Sequence, residues 1–242
     1  MKIIIRDTYE DMSRQAARDL IETVQLSDKP LFCPASGDTP VGLYKELVHL
    51  HQQQKFDSSN WLFVGLDEWV GMNENDEGSC RYSLNDQLFY PLKIADDKIC
   101  FFDGRAKDLT NECDRIENFI QQHGGIDVAV LGLGMNGHVG MNEPITSPSL
   151  RSHVATLDPI TQQVGQKYFK KQQHLSQGIT LGIATLLESK HIFLLVSGKR
   201  KAAIVKKVIE GDITEEVPAS LLRNHQNLKI YLDTDAAEII QH

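Results

Sequence analysis

The chain has 242 residues, of which 41% are hydrophobic and 24% are charged, and its formal net charge at pH 7 is −8. This acidic balance argues against nucleic acid or an anionic membrane as a partner, and no apolar run approaches the roughly 18 residues that a transmembrane helix needs. The amino-terminal residues lack the pattern of a signal peptide, and the four cysteines form no C-x-x-C pair, so we expect a cytoplasmic protein without a metal site.

Short apolar runs alternate with helical patterns along the whole chain. The runs that predict strands are Lys2–Ile5, Pro30–Pro34, Trp61–Leu66, Lys98–Phe102, Ile126–Leu131, His191–Val196 and Leu228–Leu232. The patterns that predict helices lie near residues 9–24, 40–54, 81–90, 110–123, 160–171, 180–189, 199–210 and 234–240. This alternation predicts an α/β fold with a mostly parallel sheet and helices on both faces. Since no linker or internal repeat interrupts it, we expect residues 1–242 to form a single domain.

Two of the predicted helices begin with recognisable caps. Thr8 followed by Asp11 resembles a capping box, and Thr39-Pro40 is typical of an N-cap followed by proline at the first helical position.

Residues 36–40, which precede the second of these helices, directly follow a predicted strand, and free N–H groups at such a junction attract phosphate. Asp38 argues against a phosphate there unless its carboxylate points away. The alternative is that Thr39 only caps the helix.

Two adjacent carboxylates, Asp67 and Glu68, follow the third predicted strand. The carboxyl end of a parallel strand is where α/β folds bind their ligands, so this position suits catalysis better than packing. Adjacent side chains of an extended chain point in opposite directions, so at most one of the two faces a given substrate atom. The alternative is a solvated acidic loop.

The loop at residues 132–144 follows the fifth predicted strand and surrounds His138 with glycines before ending in Asn142-Glu143-Pro144. Its first six residues match the G-x-G-x-x-G dinucleotide fingerprint. A dinucleotide site would occupy the first strand-to-helix turn and lead into a helix, which is not the case here. A purely structural glycine turn would have no need of His138 and Glu143. We therefore predict a catalytic loop.

Basic residues cluster at another strand-to-helix junction, Gly198–Lys201. Three cations at a helix amino terminus oppose the helix dipole, and a bound anion would offset that cost. A solvated basic turn is the alternative. Lys167, taken alone, reads as a surface lysine.

The motifs SGDTP (36–40), LDEW (66–69), GLGMNGHVGMNEP (132–144) and GKRKA (198–202) together resemble the glucosamine/galactosamine-6-phosphate deaminase (isomerase) family. The resemblance covers nearly the whole chain. It implies a Rossmann-like α/β fold, shared with phosphogluconolactonases, and the conversion of an amino-hexose 6-phosphate and water into a ketohexose 6-phosphate and ammonia. It implies a small-molecule sugar phosphate as the partner and neither a metal nor an organic cofactor.

The resemblance also implies a role for each matched residue. Asp67 would be the base that moves a proton between C2 and C1 of the sugar, and His138, oriented by Glu143, would open the pyranose ring. The residues implied to bind phosphate are Ser36, Gly37, Thr39, Lys167 and Lys201. Glu68 and Gly137 would belong to the substrate-binding loops. The family usually has arginine at the Lys167 position.

Asn136 stands where glucosamine-type members usually have aspartate. We expect Asn136 to orient His138 or to contact a sugar hydroxyl. The N-G-H form, tryptophan at Trp69 and the run Thr161–Gln163 resemble the galactosamine branch, so galactosamine 6-phosphate giving tagatose 6-phosphate is the predicted reaction. Glucosamine 6-phosphate giving fructose 6-phosphate is the alternative.

Two other functions stay open at this point: a hydrolase of the phosphogluconolactonase type and a sugar-phosphate sensor without catalysis. Allosteric members of the family carry basic residues after the N-E-P motif, where this chain has His153 and Ala155. Regulation is therefore not expected, and we predict a monomer or a small homo-oligomer.

Overall fold

The computed structural model describes residues 1–241. The strands in this range are β1 (Lys2–Arg6), β2 (Leu31–Cys33), β3 (Leu62–Val64), β4 (Asp67–Trp69), β5 (Ile99–Cys100), β6 (Val128–Gly132), β7 (His153–Thr156), β8 (Gln177–Thr180), β9 (His191–Val196) and β10 (Leu228–Asp233). The α-helices are α1 (Tyr9–Val24), α2 (Val41–Gln52), α3 (Cys80–Leu84), α4 (Leu109–Gln122), α5 (Pro159–Gly165), α6 (Ile183–Leu187), α7 (Ala202–Glu210) and α8 (Pro218–Leu221).

The central sheet is parallel and has the strand order β1-β10-β9-β6-β2-β3-β5. Its seven strands are the seven predicted from apolar runs. Helices α1, α2 and α3 pack on one face through residues such as Leu20, Leu47 and Leu84. Helices α4 and α7 pack on the other face through residues such as Ile116 and Val205. The predicted α/β class, with a mostly parallel sheet between two layers of helices, is confirmed.

A second, antiparallel sheet with the order β4-β8-β7 was not predicted. In it, Asp67 lies opposite Thr180 and Trp69 opposite Gly178. These strands have three or four residues, which is too short for an alternating pattern to be recognised. The predicted helix at 180–189 is correspondingly reduced to α6, because Thr180 belongs to β8.

Helix α1 confirms its predicted start, since the Asp11 N–H donates to Thr8 Oγ1 at 3.1 Å. The prediction that Thr39 caps the next helix is wrong. Helix α2 has Pro40 as its N-cap and no side-chain cap. The Tyr9 hydroxyl takes that place: it accepts from the Gly42 N–H at 2.7 Å and donates to the Thr39 carbonyl at 2.9 Å.

The predicted helix at 234–240 is also wrong, and these residues form turns. The Asp233 carboxylate at the end of β10 accepts from the N–H groups of Ala236 and Gly198, which ties the segment to the turn after β9. The helix predicted at 160–171 is shorter, ending as α5 at Gly165. No helix in residues 1–241 is both long enough and apolar enough to cross a membrane.

Ile145 has an unfavourable backbone conformation, with φ of 71° and a side chain that is 76% exposed. A left-handed conformation is costly for a β-branched residue, and Ile145 holds it while its N–H donates to the Glu215 carbonyl at 2.8 Å. Glycine adopts this conformation without strain but loses more chain entropy on folding. We expect Ile145→Gly to raise the free energy of unfolding by about 0.5–1 kcal/mol in chemical denaturation.

Ile213 provides the matched control for this prediction, because it is 43% exposed but has a negative φ. Ile213→Gly should therefore lower the free energy of unfolding. Equal losses in both variants would contradict the presence of strain at Ile145.

Candidate active site

Four predicted site segments follow four strands that are neighbours in the central sheet, β9, β6, β2 and β3. Because the strands are parallel, their carboxyl ends meet at one edge. The segments 34–40, 65–69, 133–144 and 197–201 therefore meet at that edge, although they are far apart in the sequence.

Asp67 is 7% exposed and lies in β4. Burial raises the pKa of its carboxyl to about 6, although the Cys80 thiol and the positive charge of His138 lower it. Asp67 lies opposite Thr180, whose hydroxyl accepts from the N–H of Met141 in the histidine loop, so Asp67 lies beside that loop. At neutral pH the carboxylate is ionised yet poorly solvated, a combination that suits a general base.

Glu68 points the other way and is fully buried. Its carboxylate accepts from the N–H groups of Trp69, Cys80 and Arg81 at 2.8, 2.9 and 3.0 Å. Burial raises the pKa of Glu68 to about 7, and these N–H groups lower it. Glu68 thus binds the amino-terminal end of α3. Its carboxylate contacts backbone N–H groups, whereas the sequence predicted that Glu68 belongs to a substrate-binding loop.

His138 and Glu143 lie side by side, with 3.5 Å between His138 Nδ1 and Glu143 Oε2. The Thr161 hydroxyl lies 3.1 Å from the same His138 nitrogen. Asn136 Nδ2 donates to Glu143 Oε2 at 2.8 Å, and Asn136 Oδ1 accepts from the His138 N–H at 3.2 Å. The His138 ring packs on Gly134, where a Cβ would lie 2.4 Å from a ring atom. The His138 ring is therefore held at Nδ1 and packed against Gly134.

Burial by itself raises the pKa of Glu143, but its interactions with His138, Thr161 and Asn136 outweigh burial, and the pKa lies below its usual value. Glu143 is thus an anion that holds His138 Nδ1 and favours a proton on that nitrogen. The second ring nitrogen, Nε2, stays available to a ligand, and the His138 side chain is 20% exposed.

Thr180 joins the Asp67 side of the site to the His138 side. It lies opposite Asp67 in the antiparallel sheet, and its hydroxyl accepts from the Met141 N–H at 3.1 Å. One residue later, the Leu181 carbonyl accepts from the Asn142 side chain at 2.8 Å. The unpredicted sheet thereby sets the position of Asp67 against the histidine loop.

The turn at residues 36–39 offers N–H groups to an anion. The N–H groups of Gly37, Asp38 and Thr39 donate no hydrogen bond to any group within residues 1–241. Gly37 has a φ of 113°, which glycine adopts readily, and a Cβ there would lie 3.3 Å from the Tyr168 hydroxyl. Successive free N–H groups in a turn form an anion-binding concavity.

Two lysines converge on this turn. Lys167 Nζ lies 2.5 Å from a carboxylate oxygen of Asp38, and the Lys167 side chain is 45% exposed, so Lys167 is a surface lysine that lies at this turn. Lys201 is half-buried and donates to the Leu133 carbonyl. Burial lowers the pKa of Lys201 to about 8, helped by the positive charges of Lys167 and Arg200 and opposed by Asp38.

Gly137, another predicted residue, is buried beside Val217 and Ile204, and its carbonyl accepts from the Ala219 N–H at 2.9 Å. The G-x-G-x-x-G match leads into a β-bridge at Val139 and Asn142 and not into a helix. Within residues 1–241 there is no cluster of three or more His, Cys, Asp or Glu side chains arranged to hold a metal ion.

Several residues of the site had no recognisable signal in the sequence. These are Thr180, Cys80, Tyr9 and Tyr168. Each enters through a contact with a residue far away in the chain, such as the Tyr9 hydroxyl with Gly42 or Thr180 with Met141.

Comparison with known proteins gives a consistent result. Residues 7–231 match the family model of glucosamine-6-phosphate isomerases/6-phosphogluconolactonase. The chain is 40% identical to a glucosamine-6-phosphate deaminase of Oceanobacillus iheyensis, covering all of this chain and 97% of that protein. It is 38% identical to glucosamine-6-phosphate deaminase 1 of Bacillus subtilis, covering 99% of each.

Solved structures agree with these relatives. A monomeric glucosamine-6-phosphate deaminase superposes with a TM-score of 0.96 at 38% identity, over 99% of this chain and all of that one. A 6-phosphogluconolactonase from Trypanosoma brucei gives a TM-score of 0.77 at 20% identity, over 99% of this chain and 98% of that one, which shows a shared fold.

Proposed function

Because the chain belongs to the family of glucosamine-6-phosphate isomerases and 6-phosphogluconolactonases, we propose that it converts glucosamine 6-phosphate and water into fructose 6-phosphate and ammonia. The observation that carries this proposal is the juxtaposition of a buried carboxylate, Asp67, with a histidine held by a carboxylate, His138 and Glu143. An anion-binding turn with two lysines lies beside them.

The substrate phosphate is bound by the 36–39 turn together with Lys201 and Lys167. Fixing one end of the sugar makes the later proton transfers effectively intramolecular. His138, held at Nδ1 by Glu143 and Thr161, delivers a proton to the ring oxygen through Nε2, and the ring opens to the aldehyde.

Asp67 then removes the C2 proton, giving an enolamine, and returns the proton to C1. Water adds to the resulting C2 iminium, and ammonia leaves as the ketone forms. The C1 aldehyde of the substrate accepts the electron pair when the C2 proton leaves, and the amino group donates its lone pair when C1 takes up the proton to give the iminium. The raised pKa of Asp67, about 6, makes the carboxylate basic enough for this transfer while keeping it ionised at neutral pH.

Glucosamine is proposed over galactosamine on the names of the relatives and on the contacts of Asn136. The expectation of galactosamine 6-phosphate rested on the N-G-H form, Trp69 and the run Thr161–Gln163, with Asn136 either orienting His138 or contacting a sugar hydroxyl. In the structure both polar atoms of the Asn136 side chain are engaged, with Glu143 and with the His138 backbone, so Asn136 acts as an orienting residue. The relatives named glucosamine-6-phosphate deaminase support the same choice.

We also propose that the enzyme is a monomer. The supporting observation is its close superposition on a monomeric deaminase over the full length of both chains. Size-exclusion chromatography with light scattering tests this directly.

Ammonia release, measured by a coupled assay with the two epimeric substrates in parallel, tests the proposed function. Glucosamine 6-phosphate should give the higher kcat/KM. A higher value for galactosamine 6-phosphate would reverse the choice of epimer. Hydrolysis of 6-phosphogluconolactone without ammonia release from either sugar would place the chain among the lactonases, and the absence of both activities would favour a sensor.

Lys201 should make substrate binding depend on pH. Its pKa of about 8 means that the side chain is cationic below about pH 8 and neutral above it, so KM should rise as the pH increases through that value. Lys201→Met should raise KM about 10- to 100-fold at pH 7 because it removes a charge-assisted hydrogen bond. Lys201→Arg stays charged, so the alkaline rise in KM should disappear.

Lys199 offers a matched control for this experiment, since it lies in the same turn, is 72% exposed and pairs with Glu238. Lys199→Met should leave KM and its pH dependence unchanged. The role of Lys201 would be refuted by a wild-type KM that does not vary between pH 7 and pH 9.

A further inference from the structure

A carboxylate stands where the proposed phosphate would bind. Asp38 lies in the centre of the 36–39 turn, and its carboxylate pairs with Lys167 at 2.5 Å. Lys201 is close enough for Asp38 to affect its titration. The free enzyme therefore already contains one anion among the two lysines and the three free N–H groups of the turn.

The Asp38 backbone is held by a hydrogen bond, whereas its side chain is largely exposed to solvent. The Tyr9 hydroxyl contacts the carbonyls of Asp38 and Thr39 and the N–H of Gly42, which holds the turn in place. The Asp38 side chain is 70% exposed and the Lys167 side chain 45% exposed. An ion pair between side chains this exposed stabilises a protein only weakly, so a stronger anion can displace the carboxylate without rearranging the turn.

We propose that Asp38 is a built-in competitor of the substrate phosphate, which occupies Lys167 in the free enzyme and weakens the binding of every phosphate ligand. This inference rests on the proposed phosphate site. The penalty is the same for the substrate and for inorganic phosphate, because both place a phosphate group beside Asp38. Asp38 thus eases the release of the phosphorylated product.

The penalty has two electrostatic causes. Phosphate binding brings a dianion close to the Asp38 carboxylate, and the like charges repel, although solvent screens this repulsion because the Asp38 side chain is 70% exposed. In addition, Lys167 cannot serve both anions fully. Both effects act on binding and neither acts on the reacting carbon atoms, which lie at the Asp67 and His138 end of the site.

The test is to replace Asp38 with asparagine, which keeps the size of the side chain and removes its charge. Two quantities are measured: KM for glucosamine 6-phosphate, and the affinity for inorganic phosphate, both as a competitive inhibitor and by calorimetry without sugar. We expect Asp38→Asn to lower KM, Ki and Kd together by about three- to tenfold, with a much smaller change in kcat. Asp38→Ser should act in the same direction.

A control and a double variant sharpen this test. Glu210→Gln is the control. It removes a carboxylate that pairs with Lys206 at the opposite end of α7 from Lys201, and it should change neither KM for the sugar phosphate nor the affinity for inorganic phosphate. In a Lys167→Gln background the gain from Asp38→Asn should be smaller, because only the repulsion is then relieved.

Affinities that stay unchanged in Asp38→Asn would overturn the proposal, and so would weaker phosphate binding, which would make Asp38 an aid to binding. The calorimetric result does not depend on which sugar is the substrate. Tighter phosphate binding by Asp38→Asn without ammonia release from any hexosamine phosphate would leave this inference standing and refute the proposed function. If the wild-type enzyme releases ammonia and the variant shows no gain in affinity, the proposed function stands and this inference fails.

Discussion

Replacing Asp67 with asparagine is expected to reduce kcat by about 10³-fold, because it removes the base that transfers a proton between C2 and C1. Substrate affinity should be largely kept, since the phosphate is bound by a different part of the site. The measurement is steady-state ammonia release with glucosamine 6-phosphate at saturating concentration. Retention of more than about a tenth of the wild-type kcat would contradict the assignment of Asp67 as the base.

The same substitution should stabilise the folded protein. Burial raises the pKa of Asp67 from 3.8 to about 6, so the folded state binds a proton more tightly than the unfolded state does. The free energy of unfolding therefore falls as the pH rises from about 4 to about 6. Above about pH 6 the ionised Asp67 lowers the free energy of unfolding by about 3 kcal/mol, the value that corresponds to this change in pKa. Asparagine carries no charge, so the variant should show a higher Tm than the wild type at pH 8 and no advantage at pH 4.

Asp127 is the matched control, because it is 6% exposed but lies at the amino-terminal edge of the sheet. Its carboxylate accepts from the Leu31 N–H at 2.8 Å and pairs with Lys190 at 2.7 Å. Asp127→Asn should lower Tm and leave kcat unchanged, the opposite of Asp67→Asn in both respects. A lower Tm for Asp67→Asn than for the wild type at pH 8 would contradict the prediction, because it would show that the buried charge of Asp67 does not destabilise the folded protein.

Replacing His138 with glutamine is expected to lower kcat by about 10²- to 10³-fold with the cyclic substrate. Glutamine keeps polar contacts with Glu143 and Thr161 but cannot deliver a proton at neutral pH. If the role of His138 is ring opening, the defect should largely disappear with the 5-deoxy analogue of the substrate, which cannot form a pyranose ring. The two substrates are compared in the same ammonia assay.

His225 serves as the control histidine. It is 9% exposed, and Nε2 lies 2.6 Å from the Ser189 carbonyl at the opposite edge of the sheet. His225→Gln should lower stability and leave the ratio of the two kcat values at its wild-type level. Equal defects of His138→Gln on the cyclic substrate and the 5-deoxy analogue would refute the ring-opening role.

The central sheet could be predicted because its signal is local. The inner strands are buried on both faces, so runs such as Val128–Leu131 and Ile192–Val196 are continuously apolar. The glycine loop could be recognised for a similar reason, since Gly134, His138 and Glu143 act within one short segment. The strand β8 has neither feature, and its importance lies in Thr180, whose partners Asp67 and Met141 are far away in the chain.

The roles of Glu68, Lys167 and Asn136 likewise depend on partners that the sequence does not identify. Glu68 faces α3 because Asp67 faces the site, and the sequence allowed either orientation. Lys167 reads as a surface lysine, and only the fold of the chain brings it to Asp38, 129 positions earlier. Asn136 was expected to orient His138 or bind sugar, and only its hydrogen bonds to Glu143 and the His138 backbone distinguish the two.

The sequence by itself determined the α/β class, the seven parallel strands and the two segments that carry Asp67, His138 and Glu143. These features follow from burial and backbone geometry within single segments, which composition and periodicity record. The tertiary structure alone decided the antiparallel sheet, the direction of Glu68 and the pairing of Asp38 with Lys167. Such features arise from contacts between segments far apart in the chain, and their free energy depends on the packing of the whole sheet.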